Sequence, residues 1–188
     1  LLNPFRATPS GAITRPGLNA LLQTDLMVIH PPVIFAFYTL CIGVGVHAIS
    51  AMLIAGAPAR DRILHLARPA LWVGTLGVGL GGLWAYTVLD WGGYWAWDPV
   101  ETGSLLPWIS LILLLHLRLP KGMANEDHWF VGLGIVPAFF AIHATLVTRA
   151  NGVWASVHAF VADMDEIDPS MGPIQRILEL GFGDAPGI

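Results

Sequence analysis

The chain of 188 residues is too apolar for an ordinary soluble domain, since hydrophobic residues make up 55% of it and charged residues only 12%. Its formal net charge of −4 gives no basis for nucleic-acid binding, which depends on positive charge facing the phosphates. The apolar residues form long runs, as a membrane helix of about 20 residues requires. We therefore expect an all-α, polytopic integral membrane protein in contact with lipid.

Four membrane helices are predicted, after an N-terminal loop rich in Pro, Gly, Asn and Thr. His30-Pro31-Pro32 is expected to begin the first, because proline suits the first helical turn. The expected helices lie at about 31–55, 70–89, 99–119 and 128–148. We expect residues 1–170 to form one membrane domain and 171–188 a disordered or amphipathic tail.

Cysteine and the N-terminus restrict the prediction further. The single cysteine, Cys41, lies inside an apolar run, so the chain has no disulfide framework or thiolate metal site. It is expected to be a small packing residue, and any thiol chemistry would use thiols of a partner. Because the sequence starts at Leu1 without methionine or signal-peptide features, we expect a piece of a longer or split protein.

The second predicted helix is unusually rich in glycine. Five glycines fall within nine positions: Gly74, Gly77, Gly79, Gly81 and Gly82. Small residues allow neighbouring helices to approach closely in lipid. The pattern therefore predicts a closely packed partner helix rather than a loosened, isolated one.

Basic residues near the helix ends predict the orientation in the membrane. They follow the first and third predicted helices: Arg60, Arg62, Arg68, Arg118 and Lys121. The positive-inside rule assigns both connections to the cytoplasm. The N-terminal loop, the loop at about 90–98 and the acidic tail would then share the external face.

The loop at 90–98, called the aromatic loop below, carries four large rings within seven positions: Trp91, Tyr94, Trp95 and Trp97. Tryptophan and tyrosine often form belts at membrane interfaces, but a belt draws single residues from several helices. Stacking a planar ligand is a better use of so many rings in one loop. We favour a ligand platform and keep the belt as the alternative.

Asp98-Pro99-Val100-Glu101 follows the rings directly and has the pattern of a helix start. Asp98 would cap free N–H groups, Pro99 would occupy the first helical position, and Glu101 would reach back to the cap. This pattern favours a mainly architectural role for both carboxylates. It would anchor the aromatic loop at the top of the third helix.

Two histidines are expected to flank this loop on the external side. His30 precedes the first predicted helix, and His158 follows the fourth. A planar macrocycle with a central iron needs flat apolar walls and a nitrogen ligand above and below. The two imidazoles and the rings would together provide a haem site, although a structural role for each histidine remains the alternative.

The other intramembrane histidines leave more alternatives open. His116 lies about 25 Å below Pro99 along the third helix, too deep to share a ligand with His30. It would bind a second cofactor or hydrogen-bond across the bundle. Helix–helix hydrogen bonding is favoured for His47 and His143, although His47 could approach the level of His116.

At these residues the chain resembles the cytochrome c-type biogenesis haem lyases, the CcmF family, within the haem-handling membrane proteins with a tryptophan-rich "WWD" signature. Three ordered blocks over about residues 3–170 carry the resemblance. They are Asn3-Pro4-Phe5 through His30-Pro31-Pro32, Trp91 through Leu106-Pro107-Trp108, and Arg149 with Gly152 and Ser156-Val157-His158-Ala159-Phe160. The His-Pro-Pro and Ser-Val-His-Ala-Phe blocks favour the haem lyase branch.

The resemblance implies a role for each matching residue. His30 and His158 would ligate the haem b that is delivered, and His116 would ligate a resident b-type haem. The platform for the delivered haem would comprise Trp91, Tyr94, Trp95, Trp97 and Asp98, although Tyr94 stands where the family often has tryptophan. The family's fourth histidine lies in a downstream region that this sequence lacks, so the chain alone is not expected to complete the resident site.

The implied function is cytochrome c maturation by a haem lyase complex. Haem would arrive from a haem chaperone, and apocytochrome c would present thiols kept reduced by other maturation subunits. The chain offers no catalytic residue of its own, so its contribution would be positioning. The setting would be a prokaryotic inner membrane or the mitochondrial inner membrane. A haem transporter or relay and a membrane electron-transfer protein, using His47 with His116, are the alternatives.

Overall fold

Four long helices account for nearly all of the computed structural model, which describes residues 24–54, 59–88, 93–120 and 126–149. In chain order they are α1 (Asp25–Leu53), α2 (Ala59–Thr87), α3 (Pro99–His116) and α4 (Glu126–Arg149). Each is long and apolar enough to cross a membrane, and the described ranges contain no strand. The predicted all-α fold is confirmed.

The predicted starts of two helices are wrong. α1 begins at Asp25, so that Pro31 and Pro32 lie inside it. α2 begins at Ala59 and includes Pro69, which places the basic segment predicted as a loop within the helix. Proline is tolerated inside membrane helices, and the alanine, leucine and arginine of residues 59–68 are good helix formers.

The core of the bundle lies where all four helices meet. Fully buried side chains include Phe37 and Cys41 of α1, Ile63 of α2, Leu111 of α3 and Phe130 of α4. Cys41 is therefore a packing residue, as predicted. α1 packs mainly against α2 and α4, and α3 packs mainly against α4.

Three glycines of α2 receive three side chains of α1, and we call Gly74, Gly77 and Gly81 the glycine face. The facing pairs, in antiparallel order, are Phe37 with Gly74, Ile34 with Gly77, and His30 with Gly81. A methyl group added to each glycine would come within 2.6, 2.9 and 2.9 Å of the facing side chain, respectively. The predicted close packing against α2 is confirmed, and α1 is the partner.

The other two glycines of the predicted cluster differ from the glycine face. A methyl group on Gly82 would lie 3.1 Å from the Tyr94 carbonyl oxygen, whereas one on Gly79 would meet nothing within 4 Å. Gly82 thus admits the backbone that precedes α3. Gly79 lies on an open surface of α2.

The helix ends away from the aromatic loop also meet. Arg60, near the start of α2, lies 3.8 Å from the Glu126 carboxylate at the start of α4 and over the Phe130 ring. Both side chains of the ion pair are about half exposed, so it contributes little stability. The pair shows that the starts of α2 and α4 lie at the same end of the bundle.

The α1–α4 contact yields a test of the packing. Gly45 of α1 lies directly against Ala138 of α4, whereas Gly132 of α4 has open space beside it. Gly45→Val should lower the free energy of unfolding by about 1–3 kcal/mol through overpacking. Gly132→Val is the control and should unfold like the wild type. Thermal unfolding of both variants in detergent checks this, and equal stability would contradict the helix pairing.

Candidate functional site

The start of α3 is fixed by the predicted capping box. The Asp98 carboxylate accepts hydrogen bonds from the backbone N–H groups of Val100, at 2.7 Å, and Glu101, at 3.4 Å. The Glu101 carboxylate accepts in return from the Asp98 N–H at 3.4 Å. Both carboxylates are buried. Their architectural role is confirmed, since each satisfies N–H groups that the first helical turn leaves free.

Glu101 also holds the aromatic loop by a second contact. Its carboxylate accepts a hydrogen bond of 2.8 Å from the Ala96 N–H, in addition to the bond from Asp98. Between these two amides lies Trp97, whose φ of +57° is left-handed. That conformation costs a bulky residue about 1–3 kcal/mol. Glu101 therefore clamps the backbone on both sides of a strained tryptophan.

The rings of the described part of the loop, residues 93–98, take different positions. Trp97 is 74% exposed, and its ring meets Trp95 edge to face at 6.1 Å. Tyr94 instead stacks on Tyr86 of α2, with ring centres 4.3 Å apart. Tyr94 thus fastens the loop to α2, while Trp97 presents a free aromatic face. Trp91 lies outside the described residues.

The Trp95 indole contains an unsatisfied polar group. Its Nε1 is buried and has no hydrogen-bond partner within the described structure. A buried donor without an acceptor is destabilising by about 1–3 kcal/mol. Such an N–H fits a site whose ligand supplies an acceptor oxygen, such as a carboxylate.

His30 occupies the same end of the bundle, on α1. Its Nδ1 lies 3.0 Å from the Gly77 carbonyl oxygen of α2. The ring meets Trp84 edge to face, with centroids 5.9 Å apart. His30 is half-buried, and Gly82 brings Tyr94 against the same part of α2. A half-buried imidazole beside aromatic rings has the donor chemistry of a haem ligand.

Two further hydrogen bonds hold α3, and with it the loop, against α1 and α2. The Tyr38 hydroxyl and Ser104 Oγ are 2.7 Å apart and buried. The Trp108 indole N–H donates to Thr75 Oγ1 at 2.9 Å. Ser104 lies in the half of α3 next to the aromatic loop, and Trp108 lies near the middle of the helix. The two contacts therefore fix the position of the helix whose start carries the capping box.

The remaining predicted histidines lie elsewhere. His116 ends α3 at the opposite end of the bundle, is exposed, and has Nδ1 2.8 Å from the Ile112 carbonyl oxygen of its own helix. His47 is half-buried and His143 exposed. His158 lies outside the described residues, so its place opposite His30 stays a prediction. Among the described residues, no three His, Cys, Asp or Glu side chains group as a metal-ion site.

Sequence reasoning missed the immediate surroundings of His30. The glycines predict close helix packing, but this pattern alone does not connect Gly77 or Gly81 with the histidine. A signal was present: His30, Ile34 and Phe37 recur at helical spacing on α1, as Gly74, Gly77 and Gly81 do on α2. Matching these two stripes in antiparallel order pairs His30 with Gly81.

Comparison with known proteins decides the family. Residues 4–153 match the model of the family described as "Cytochrome C assembly protein", which covers most of the chain. The chain belongs to this cytochrome c biogenesis family. It is 38% identical over 165 residues to the probable cytochrome c-type biogenesis protein NrfE of Escherichia coli (strain K12), covering 86% of this chain and 30% of that protein.

Other relatives carry related names. Cytochrome c-type biogenesis protein CcmF of Escherichia coli (strain K12) is 36% identical over 167 residues, covering 86% of this chain and 25% of that protein. Protein CycK of Rhizobium meliloti (strain 1021) is 38% identical over 171 residues, covering 86% and 24%. The chain thus spans about a quarter to three-tenths of these relatives. No solved structure matches the chain. With the four helices, the family makes this an integral membrane protein of cytochrome c biogenesis.

The clamp on Trp97 can be tested by removing its carboxylate. Glu101→Ala should speed hydrogen exchange at the Ala96 and Asp98 amides about fivefold, because losing the hydrogen-bond acceptor of these amides costs about 1 kcal/mol. Glu101→Gln keeps an acceptor oxygen and should stay close to the wild type. Exchange measured on peptides spanning 93–101 checks this, and wild-type exchange in Glu101→Ala would show that the clamp contributes nothing.

Proposed function

We propose that this chain is the haem-holding part of a cytochrome c haem lyase, in which it binds haem and positions it for covalent attachment to apocytochrome c. The contact of His30 with the glycine face and Trp84 is the observation that carries the proposal. This contact holds a side chain that can ligate iron at the end of the bundle where the aromatic loop leads into α3. The family supports the pathway, cytochrome c biogenesis.

The two histidines and the aromatic loop have different roles in holding the haem. His30 ligates the iron from one side and His158 from the other. The exposed Trp97 ring offers a flat apolar surface, and the buried Trp95 N–H offers a donor to a carboxylate of the haem. Trp91 and Asp98 complete the platform, Asp98 by fixing its backbone. Tyr94 attaches the loop to α2 through its stack on Tyr86.

The attachment chemistry would use groups from outside this chain. Each apocytochrome thiol adds across a haem vinyl group: sulfur bonds to one vinyl carbon, the thiol hydrogen goes to the other, and no leaving group forms. Cys41 does not take part, because it is fully buried in the helix core. The chain therefore acts by holding the two reactants in register, which alone lowers a barrier substantially. The thiols would be kept reduced by other maturation subunits, and a chaperone would supply the haem.

The charge distribution supports an external position for this site. Described basic side chains lie toward the end of the bundle away from the aromatic loop: Arg60, Arg62, Arg68 and Arg118. The positive-inside rule puts that end in the cytoplasm. His30 and the loop then face the periplasm of a prokaryotic cell, or the intermembrane space of a mitochondrion.

His116 supports a second haem in the same proposal. His116 is the last residue of α3 and is exposed, so its ring is open to a group held by another part of the protein. We propose that it ligates a resident b-type haem whose other ligand comes from a part of the protein beyond this chain.

The ligand assignment is tested by haem retention in the full-length protein. His30→Ala and His158→Ala should each lower the haem that copurifies and abolish cytochrome c maturation, because each removes one iron ligand. His65→Ala is the matched control, since His65 is exposed on the basic part of α2. Unchanged haem content in both ligand variants would overturn the proposal.

A further inference from the structure

We infer that Gly77 and Gly81 are positioning residues that hold His30 in one tautomer and one ring orientation, with the proton on Nδ1 and the lone pair on Nε2. The inference concerns the haem-free protein. Only its consequence, that Nε2 is the iron ligand, rests on the proposed function.

The tautomer follows from the hydrogen bond to Gly77. His30 Nδ1 lies 3.0 Å from the Gly77 carbonyl oxygen, and a carbonyl oxygen can only accept. Nδ1 must therefore carry the proton. In a neutral imidazole the lone pair then resides on Nε2, the other ring nitrogen. The carbonyl has two lone pairs, so it can accept this bond as well as the one within its own helix.

The ring orientation follows from the missing side chain at Gly81. A methyl group there would lie 2.9 Å from His30 Cε1, closer than real carbon contacts allow, and 3.4 Å from Nε2. The edge of the imidazole that carries both nitrogens thus rests against α2. Any larger residue at position 81 would push this edge away and lengthen the bond to Gly77.

Trp84 restricts the orientation of the His30 ring from another side. Its indole meets His30 edge to face, at an interplanar angle of 71°. Gly77, Gly81 and Trp84 lie on successive turns of α2. The same helix therefore accepts the hydrogen bond at Gly77, leaves room for the ring at Gly81 and packs an indole against the ring at Trp84. Histidines that bind metals commonly donate their other ring N–H to a backbone carbonyl, which fixes their orientation and raises their basicity. The Gly77 carbonyl accepts the Nδ1–H of His30 in the same way.

The tautomer is measured on wild-type, haem-free, full-length protein labelled with ¹⁵N-histidine. Protonated and unprotonated ring nitrogens have widely separated ¹⁵N shifts, and His30→Gln identifies the signal. We expect His30 to show a protonated Nδ1 and an unprotonated Nε2. A protonated Nε2 with an unprotonated Nδ1, or a mixture of both forms, would overturn the inference whatever the protein binds.

The space at Gly81 is tested with two alanine variants of the same helix. Gly81→Ala should lower haem retention about tenfold, the usual effect of disturbing a ligand's supporting hydrogen bond, and should shift the Soret spectrum and mix the His30 tautomers. Gly79→Ala is the control: it adds the same methyl group two residues away, where nothing lies within 4 Å, and should match the wild type.

The possible results separate the two proposals. If Gly81→Ala keeps wild-type haem retention and a wild-type His30 spectrum, Gly81 does not position the ring. If His30→Ala retains haem while the wild-type tautomer is as expected, the ligand assignment fails and the positioning stands. If Gly81→Ala does not fold, the wild-type tautomer measurement still decides the question.

Discussion

The contact between α1 and the glycine face of α2 is the constraint on which the rest of this structure depends. Two membrane helices gain little from the hydrophobic effect when they associate in lipid, so close packing must hold them together. Three glycines allow that packing by leaving room for Phe37, Ile34 and His30. Because the pairs are in register, the fit that stabilises the bundle also sets the position of His30.

The aromatic loop depends on this arrangement through its two supports. On one side, Tyr94 stacks on Tyr86 and its carbonyl lies over Gly82, so α2 carries the loop. On the other side, Glu101 of α3 bonds the amides that flank Trp97. The left-handed backbone at Trp97 is tolerated because both neighbours are held. Residues 93–98 are thus held from both sides and present the exposed Trp97 ring in a fixed direction, as a ligand platform requires.

Local features of this fold were predictable from sequence and longer-range ones were not. The capping box was predicted because Asp98 and Glu101 act within a single helical turn. The starts of α1 and α2 were not, because a proline or a charged segment looks like a helix boundary, although a membrane helix tolerates proline and residues 59–68 are good helix formers. The pairing of His30 with Gly81 depends on the register between two helices. Its signal existed, but only a packed bundle selects that register. His158 and Trp91 remain predictions from sequence.

The most direct test of this account is an experimental structure of the full-length protein with haem bound. We predict a bond from His30 Nε2 to the iron, with Nδ1 donating to the Gly77 carbonyl and the Trp97 ring against the macrocycle. Haem bound elsewhere, or iron ligated while His30 keeps its ring away from the haem, would contradict the account.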